Sequence, residues 1–257
     1  MLQRAMTFAG AVAALAMLAG SSFAQEQEPQ VASIIHAGRL LADASNGRVL
    51  TEQSILVGAD GNIIAIEAGY VTRDGATVID QRNRFVLAGL IDSHVHLTGE
   101  LGPNQLIEEV TLTASDAALR GAQNARTTLM AGFTTVADLG APNDSIFALR
   151  RAITERRVLG PRIIASGSSV TPDGGHGDAN GFSPDIVDVM RSPSACSGAD
   201  ACRRAVRRQI QAGADVIKIT ATGGVLSNTA AGVEQQFSDA ELQAIVEAAH
   251  AMGRRVT

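Results

Sequence analysis

Alternation between strand-like and helix-like segments constrains the fold of this chain more than any other sequence feature. After residue 84, runs rich in apolar and β-branched residues alternate with amphipathic helical patterns. This order is typical of a parallel sheet with helices packed on it. A doubly wound sheet and a (β/α)8 barrel both satisfy it. Strands are predicted over residues 85–91, 133–139, 162–166, 215–220 and 254–257, and helices over residues 145–158, over residues 200–212, and from the capping box of Ser238 and Glu241 to Gly253.

The first 24 residues have the three parts of a secretory signal peptide. Arg4 provides a basic start, residues 6–18 are almost wholly apolar, and Ser22-Phe23-Ala24 is a small-x-small cleavage site. We therefore expect a secreted or periplasmic protein. No membrane anchor is expected after cleavage, because no other run approaches the ~20 apolar residues of a transmembrane helix.

Residues 25–84 consist of short β-like runs separated by turn residues, such as Asp60-Gly61-Asn62. They predict a small β-domain, whose type the composition does not specify. The chain has two cysteines, Cys196 and Cys202. Export favours a short-loop disulfide between them.

Charge and aromatic content exclude a nucleic-acid-binding protein. The net charge is −5, and the chain has no Trp and a single Tyr for base stacking. Its one basic run lies at helical spacing and is interpreted as a solvated helix face. The run consists of Arg203, Arg204, Arg207 and Arg208.

Two histidines in the segment GLIDSHVHL, residues 89–97, are the first candidates for chemistry. Side chains two apart on a strand point to the same face, so His94 and His96 converge. Convergent imidazoles on a rigid strand can begin a metal site. The alternative is a pair of polar residues at the end of a strand.

Lys218 is a second candidate, because it lies within the apolar strand of residues 215–220. Alternation places Val216, Lys218 and Thr220 on one face. Burial lowers the pKa of a lysine and leaves more of the neutral amine, which can add carbon dioxide to form a carbamate. The alternative is a lysine that extends into solvent.

Two further polar residues follow predicted strands. His176, in the loop GGHGD, is a candidate substrate contact or an exposed loop histidine. Asp138, at the end of the strand of residues 133–139, could orient a metal-binding histidine or cap the next helix.

Six segments together resemble the amidohydrolase superfamily. Within it, the chain is most similar to the imidazolonepropionase-like group that includes Xaa-Pro and Xaa-Arg dipeptidases. It departs from the family pattern at Ala88, where proline is usual, and at Ala137, where arginine is frequent. The segments are GRLLAD (38–43), GLIDSHVHL (89–97), GFTTVADLG (132–140), GGHGD (174–178), GADVIKITATGG (213–224) and FSDAEL (237–242).

The resemblance implies a (β/α)8 barrel of amidohydrolase type with a small flanking β-sandwich. It divides the chain into a signal peptide (1–24), the N-terminal part of the sandwich (25–84) and the first half of the barrel (85–257). It also implies two zinc ions held by His94, His96 and carboxylated Lys218. Two further histidines and a proton-shuttling aspartate are expected from later barrel strands, so the chain is interpreted as an N-terminal fragment.

The function implied is metal-dependent hydrolysis of an amide bond in a dipeptide-like substrate by a metal-activated water. One alternative is a cyclic-amide hydrolase with a single metal, as in imidazolonepropionase. Another is an inactive half-barrel. The expected partner is a small peptide-like or cyclic amide. A homo-oligomer is compatible with the sequence, which leaves the oligomeric state open.

Overall fold

The computed structural model describes residues 30–225, 227–229 and 232–257. They belong to two compact units, with the division between Ala88 and Gly89. The predicted signal peptide, residues 1–24, lies outside the described residues. No helix in the described ranges is long and apolar enough to cross a membrane.

The first unit contains one four-stranded sheet in the order β3-β2-β1-β4. Strand β1 pairs antiparallel with β2 and parallel with β4, and β2 pairs antiparallel with β3. Ala37, Leu40 and Ile55 form its buried cluster. The strands are β1 (Val31–Asp43), β2 (Arg48–Gly58), β3 (Ile63–Ala68) and β4 (Thr77–Val86).

The predicted hairpin turn joins β2 to β3. Asn62 donates its backbone N–H to Asp60 Oδ1 over 3.0 Å. Gly61 has φ +82°, a left-handed value that glycine adopts without steric cost. That this sheet forms part of a β-sandwich stays a prediction.

The second unit begins with three parallel strands in the order β5-β6-β7. Residues 215–220 continue this order, because the Asp215 N–H donates to the Ala165 carbonyl over 2.8 Å. Their pairing is limited to isolated parallel bridges, from Ile219 to Val170 and from Ile217 to Val256. The predicted strands of residues 215–220 and 254–257 are therefore paired but short. The regular strands are β5 (Leu90–Val95), β6 (Phe133–Asp138) and β7 (Arg162–Ala165).

The prediction of one buried strand over residues 85–91 is wrong. Phe85 is paired with Arg39 at the end of β4, whereas Leu90 is paired with Phe133 at the start of β5. The run therefore belongs to two sheets. It is not buried either, since Ile91 is 71% exposed.

Three of the six helices match the sequence prediction. The capping box of Ser238 and Glu241 opens α6, and Gly213, in the left-handed conformation, ends α5. Helix α3 ends four residues before the predicted boundary of residue 158, and Arg156 follows it with φ +58°. The helices are α1 (Gln105–Thr111), α2 (Ala114–Met130), α3 (Asn143–Thr154), α4 (Pro184–Met190), α5 (Ala199–Ala212) and α6 (Asp239–Ala251).

The helices cover one face of the β5-β6-β7 sheet. Val136 and Ile163 are paired across that face and belong to the main buried cluster. Ala137 and Ile164 point to the opposite face, where Ile164 is 38% exposed. The sheet therefore packs its core on the helix side.

A disulfide joins Cys196 to Cys202, with 5.1 Å between their Cα atoms, as the sequence favours. It connects the two-residue strand β9 (Ala195–Cys196) to α5. Strand β9 pairs with β8 (Thr171–Pro172). The bond therefore links α5 to β9 directly. Through the pairing of β9 with β8, it also links α5 to the segment that precedes the loop of His176.

Candidate functional site

The structure brings four of the five candidate residues to one cavity. His94, His96, His176 and Lys218 line a space of about 460 Å³ at the carboxyl ends of the parallel strands. The ring centroids of His94 and His96 are 5.3 Å apart. Active sites of α/β barrels lie at this end of the sheet. The remaining lining residues are Leu139, Ser169, Gly177, Ile219, Thr220, Ala221, Thr222, Gly223 and Gly224.

An irregularity in β5 lies at the first histidine. The pairing with β6 shifts between Asp92, which lies opposite Val136, and Val95, which lies opposite Asp138. The Asp92 carboxylate accepts the His94 backbone N–H over 3.0 Å. The strand therefore bulges here, yet His94 and His96 still line the same cavity.

A backbone carbonyl fixes the orientation of His96. Its Nδ1 lies 2.8 Å from the Gly140 oxygen. Because a carbonyl oxygen only accepts, Nδ1 carries a proton, and Nε2 is the nitrogen left to bind a metal ion when the ring is neutral. A Cβ at Gly140 would lie 2.9 Å from His96 Cε1, so the ring requires glycine there. Nε2 of this tautomer is the atom that binds a metal ion.

Asp138 lies directly behind His96 and has no exposed surface. Its carboxylate accepts the N–H of Leu97 over 2.7 Å and that of Gly140 over 3.3 Å. Burial raises the pKa of Asp138, while these two hydrogen bonds and the charge of His96 act in the opposite direction. Of the two roles that the sequence leaves open, capping of α3 is not observed, because Pro142 is the N-cap residue.

Lys218 faces the cavity, and its neighbour Ile217 packs into the core on the other side of the strand. Burial lowers the pKa of Lys218, which favours the neutral amine. None of the ion pairs found in the described ranges involves this side chain. The sequence contains 21 lysines and arginines, and Lys218 is its only lysine.

The electrostatic surroundings favour neutral imidazole at His94. Burial lowers the pKa of His94, and the charges of Lys218 and His96 add to the effect. Neutral imidazole is the form that binds a metal ion.

His176 is held from two sides. Its backbone N–H donates to Gln236 Oε1 over 2.8 Å. Its ring lies against Gly224, where a Cβ would approach Cε1 to 2.6 Å. Gln236 was missed by sequence reasoning, because nothing in a glutamine before a helix indicates a contact 60 residues away.

The donors present fit part of a zinc-like centre. The described residues contribute three imidazoles and one amine to the cavity, of which the imidazoles of His94 and His96 are the adjacent pair. No group of three or more His, Cys, Asp or Glu side chains converges among the described residues. Imidazole nitrogen suits zinc, and catalytic zinc usually has three protein ligands. The described residues therefore provide two nitrogen ligands, and the lysine would become an oxygen ligand if carboxylated.

Comparison with known proteins places this site in a family. Residues 85–257 match the sequence profile described as "Amidohydrolase family". Ochratoxinase of Aspergillus niger is 28% identical over 246 residues, which cover 88% of this chain and 49% of that protein. The chain therefore spans about half the length of the curated relatives it matches.

Solved structures give the same result. A Xaa-Pro dipeptidase with methionine bound in its active site superposes with a TM-score of 0.78 and 34% identity, over 87% of this chain and 55% of the other. A prolidase complexed with N-methylphosphonate-L-proline gives 0.74 and 31%, over 87% and 55%. These likenesses confirm the predicted fold class, a (β/α)8 barrel of amidohydrolase type, of which the chain covers about half. By the profile match over residues 85–257, the chain belongs to the amidohydrolase family.

Proposed function

We propose that the protein to which this chain belongs hydrolyses the amide bond of a small, dipeptide-like substrate with the help of bound divalent metal ions. The metal that we propose first is zinc. The observation that carries the proposal is the convergence of His94, His96 and Lys218 on one cavity. Membership of the amidohydrolase family and similarity to a Xaa-Pro dipeptidase and a prolidase support it.

The two histidines would hold the first ion through neutral imidazole nitrogens, with Nε2 as the donor of His96. Lys218 would supply an oxygen ligand after carboxylation. Its neutral amine adds to carbon dioxide, a C–N bond forms and one proton leaves to solvent. The carbamate would offer two oxygen atoms as metal ligands. A divalent ion held here would lower the pKa of a water molecule towards ~7 and so make it a nucleophile at neutral pH.

The loops around the cavity would bind the substrate. His176 lies on the wall of the cavity, where Gln236 holds its backbone N–H, and its exposed ring can donate or accept a hydrogen bond. We assign it to substrate contact, because an ordered imidazole at the carboxyl end of a barrel sheet faces the reacting region.

The experiment that tests the proposal uses the purified full-length protein. By elemental analysis we expect about two zinc or similar divalent ions per chain. The protein should hydrolyse Xaa-Pro dipeptides rather than cyclic amides, and a chelator should inhibit this hydrolysis. The double variant His94→Ala/His96→Ala should lose both metal and activity.

The matched control is His250→Ala, because His250 lies at the exposed end of α6 and does not line the cavity. It should keep both metal and activity. A double variant with unchanged metal content and turnover would remove the basis of the proposal. Cleavage of a cyclic amide with one metal per chain would replace it with the single-metal alternative.

A further inference from the structure

Asp138 uses both carboxylate oxygens on backbone N–H groups next to His96. Oδ2 accepts from Leu97 over 2.7 Å, and Oδ1 accepts from Gly140 over 3.3 Å. Asp138 has no exposed surface, so water does not compete for these bonds. A buried carboxylate with two N–H partners is strongly constrained in its position.

These two N–H groups belong to the two segments that determine where His96 lies. Leu97 directly follows His96 in the chain. Gly140 accepts the Nδ1–H of His96 through its carbonyl over 2.8 Å. The carboxylate therefore holds the backbone beside His96 and also holds Gly140, the residue whose carbonyl orients the ring.

We propose that Asp138 and Gly140 are positioning residues that hold His96 as the Nδ1–H tautomer, with Nε2 directed to a divalent cation. The inference rests on the proposed function for the cation, but the tautomer and the ring position are properties of the metal-free chain. Groups that hydrogen-bond a metal-binding histidine typically contribute 10- to 100-fold to metal affinity.

The chemistry requires both residue types. An amide in place of the Asp138 carboxylate would present an NH2 group to one of the two backbone N–H donors, so one bond would be lost. A methyl group on Gly140 would press on the imidazole, 2.9 Å from Cε1 and 3.2 Å from Nδ1 of His96. Gly140 does not have a positive φ, so alanine there acts through this contact and not through backbone strain.

The test compares Asp138→Asn with Asp215→Asn in the full-length protein. Asp215 is a matched control, since its carboxylate also accepts a backbone N–H of a neighbouring strand, that of Ala165 over 2.9 Å, but does not line the cavity. Zinc affinity is measured by competition with a chelator. The tautomer of His96 is read from the imidazole ¹⁵N spectrum of the metal-free protein.

We expect Asp138→Asn to bind zinc about 10- to 100-fold more weakly and to lose the Nδ1–H tautomer, while Asp215→Asn keeps both. A folded Asp138→Asn with unchanged zinc affinity and unchanged tautomer would overturn the proposal.

If Asp138→Asn fails to fold, Gly140→Ala provides a second test of the positioning role. Its control is Gly102→Ala, where a Cβ meets no atom within 4 Å. Gly140→Ala should weaken zinc binding and shift the His96 signals, and Gly102→Ala should do neither. Retention of both properties in Gly140→Ala would overturn the positioning role. If the unmodified protein takes up no zinc, the proposed function fails, and the tautomer spectrum alone then supports or overturns the positioning role.

Discussion

At the residue scale, Lys218 stands out for a chemical reason. Of the 21 lysines and arginines in the sequence, all except Lys218 are arginines. Arginine stays protonated under all ordinary conditions, whereas a lysine can lose its proton and react as a neutral amine. The only lysine of the chain lies in the cavity with both candidate histidines.

We predict that Lys218→Ala in the full-length protein loses at least one metal ion and most of its hydrolytic activity, because the oxygen ligand proposed for Lys218 would be removed. Acetate or propionate should restore part of both, since a free carboxylate can occupy the vacated position. With ¹³C-labelled bicarbonate, the unmodified protein should give a side-chain carbamate NMR signal that is absent from the variant. Full activity and metal content in Lys218→Ala would contradict the carbamate and favour a single-metal site.

The residues of the site were predictable because their spacing and their neighbours carry the information. The H-x-H pair and the lysine within an apolar strand can be identified from the chain alone. Of the supporting residues, Asp138 was a candidate from the sequence, whereas the contacts of Gly140 and Gln236 could not be identified. Gly140 and Gln236 act on His96 and His176 from segments 44 and 60 residues away, and no local pattern specifies such pairings.

At the element scale, helix α2 was missed although a capping box of Thr113 and Asp116 opens it. Its buried residues are Gly121 and Ala125, so large apolar side chains do not mark its inner face. Packing there is close, since a Cβ on Gly121 would lie 2.9 Å from Leu149 Cδ2 and would displace that side chain. Amphipathic periodicity detects large buried side chains and fails where a helix packs through small ones.

The disulfide is a covalent link between two elements outside the β5-β6-β7 sheet. It ties β9 to α5, and the Cys196 carbonyl accepts the N–H of Asp173 over 3.2 Å, at the start of the His176 loop. We predict that Cys196→Ser/Cys202→Ser lowers the free energy of unfolding by about 2 kcal/mol, as expected for a short closed loop. Thermal unfolding with and without reductant measures this. An unmodified protein whose melting temperature does not respond to reductant would contradict the prediction.

Export would place this bond in an oxidising compartment, where disulfides persist. We propose that residues 1–24 are removed, so that the exported protein begins at Gln25 and has both cysteines oxidised. Intact mass spectrometry without reductant reports the two features together. A mass that retains the first 24 residues, or two thiols that react freely with an alkylating agent, would count against this proposal.

At the scale of the whole molecule, the β5-β6-β7 sheet has one well-packed face and one open face. Val136 and Ile163 lie under the helices, while Ile91, Ala137 and Ile164 point the other way. Ile91 is 71% and Ile164 38% exposed. In a closed barrel, side chains from all strands fill the interior. Among the described strands, β5 has β6 as its single strand neighbour.

An open apolar face and an unpaired strand edge both favour association with other molecules. We predict that residues 25–257, expressed by themselves, self-associate and bind an apolar fluorescent dye. Ile91→Thr/Ile164→Thr should reduce dye binding, because it makes the open face polar while leaving the helix-covered face unchanged. Val189→Thr is the control, since Val189 is 75% exposed on α4, away from the sheet. Light scattering and dye fluorescence measure the two effects. A monodisperse monomer that binds no dye, or equal effects of the two sets of substitutions, would show that this face does not drive association.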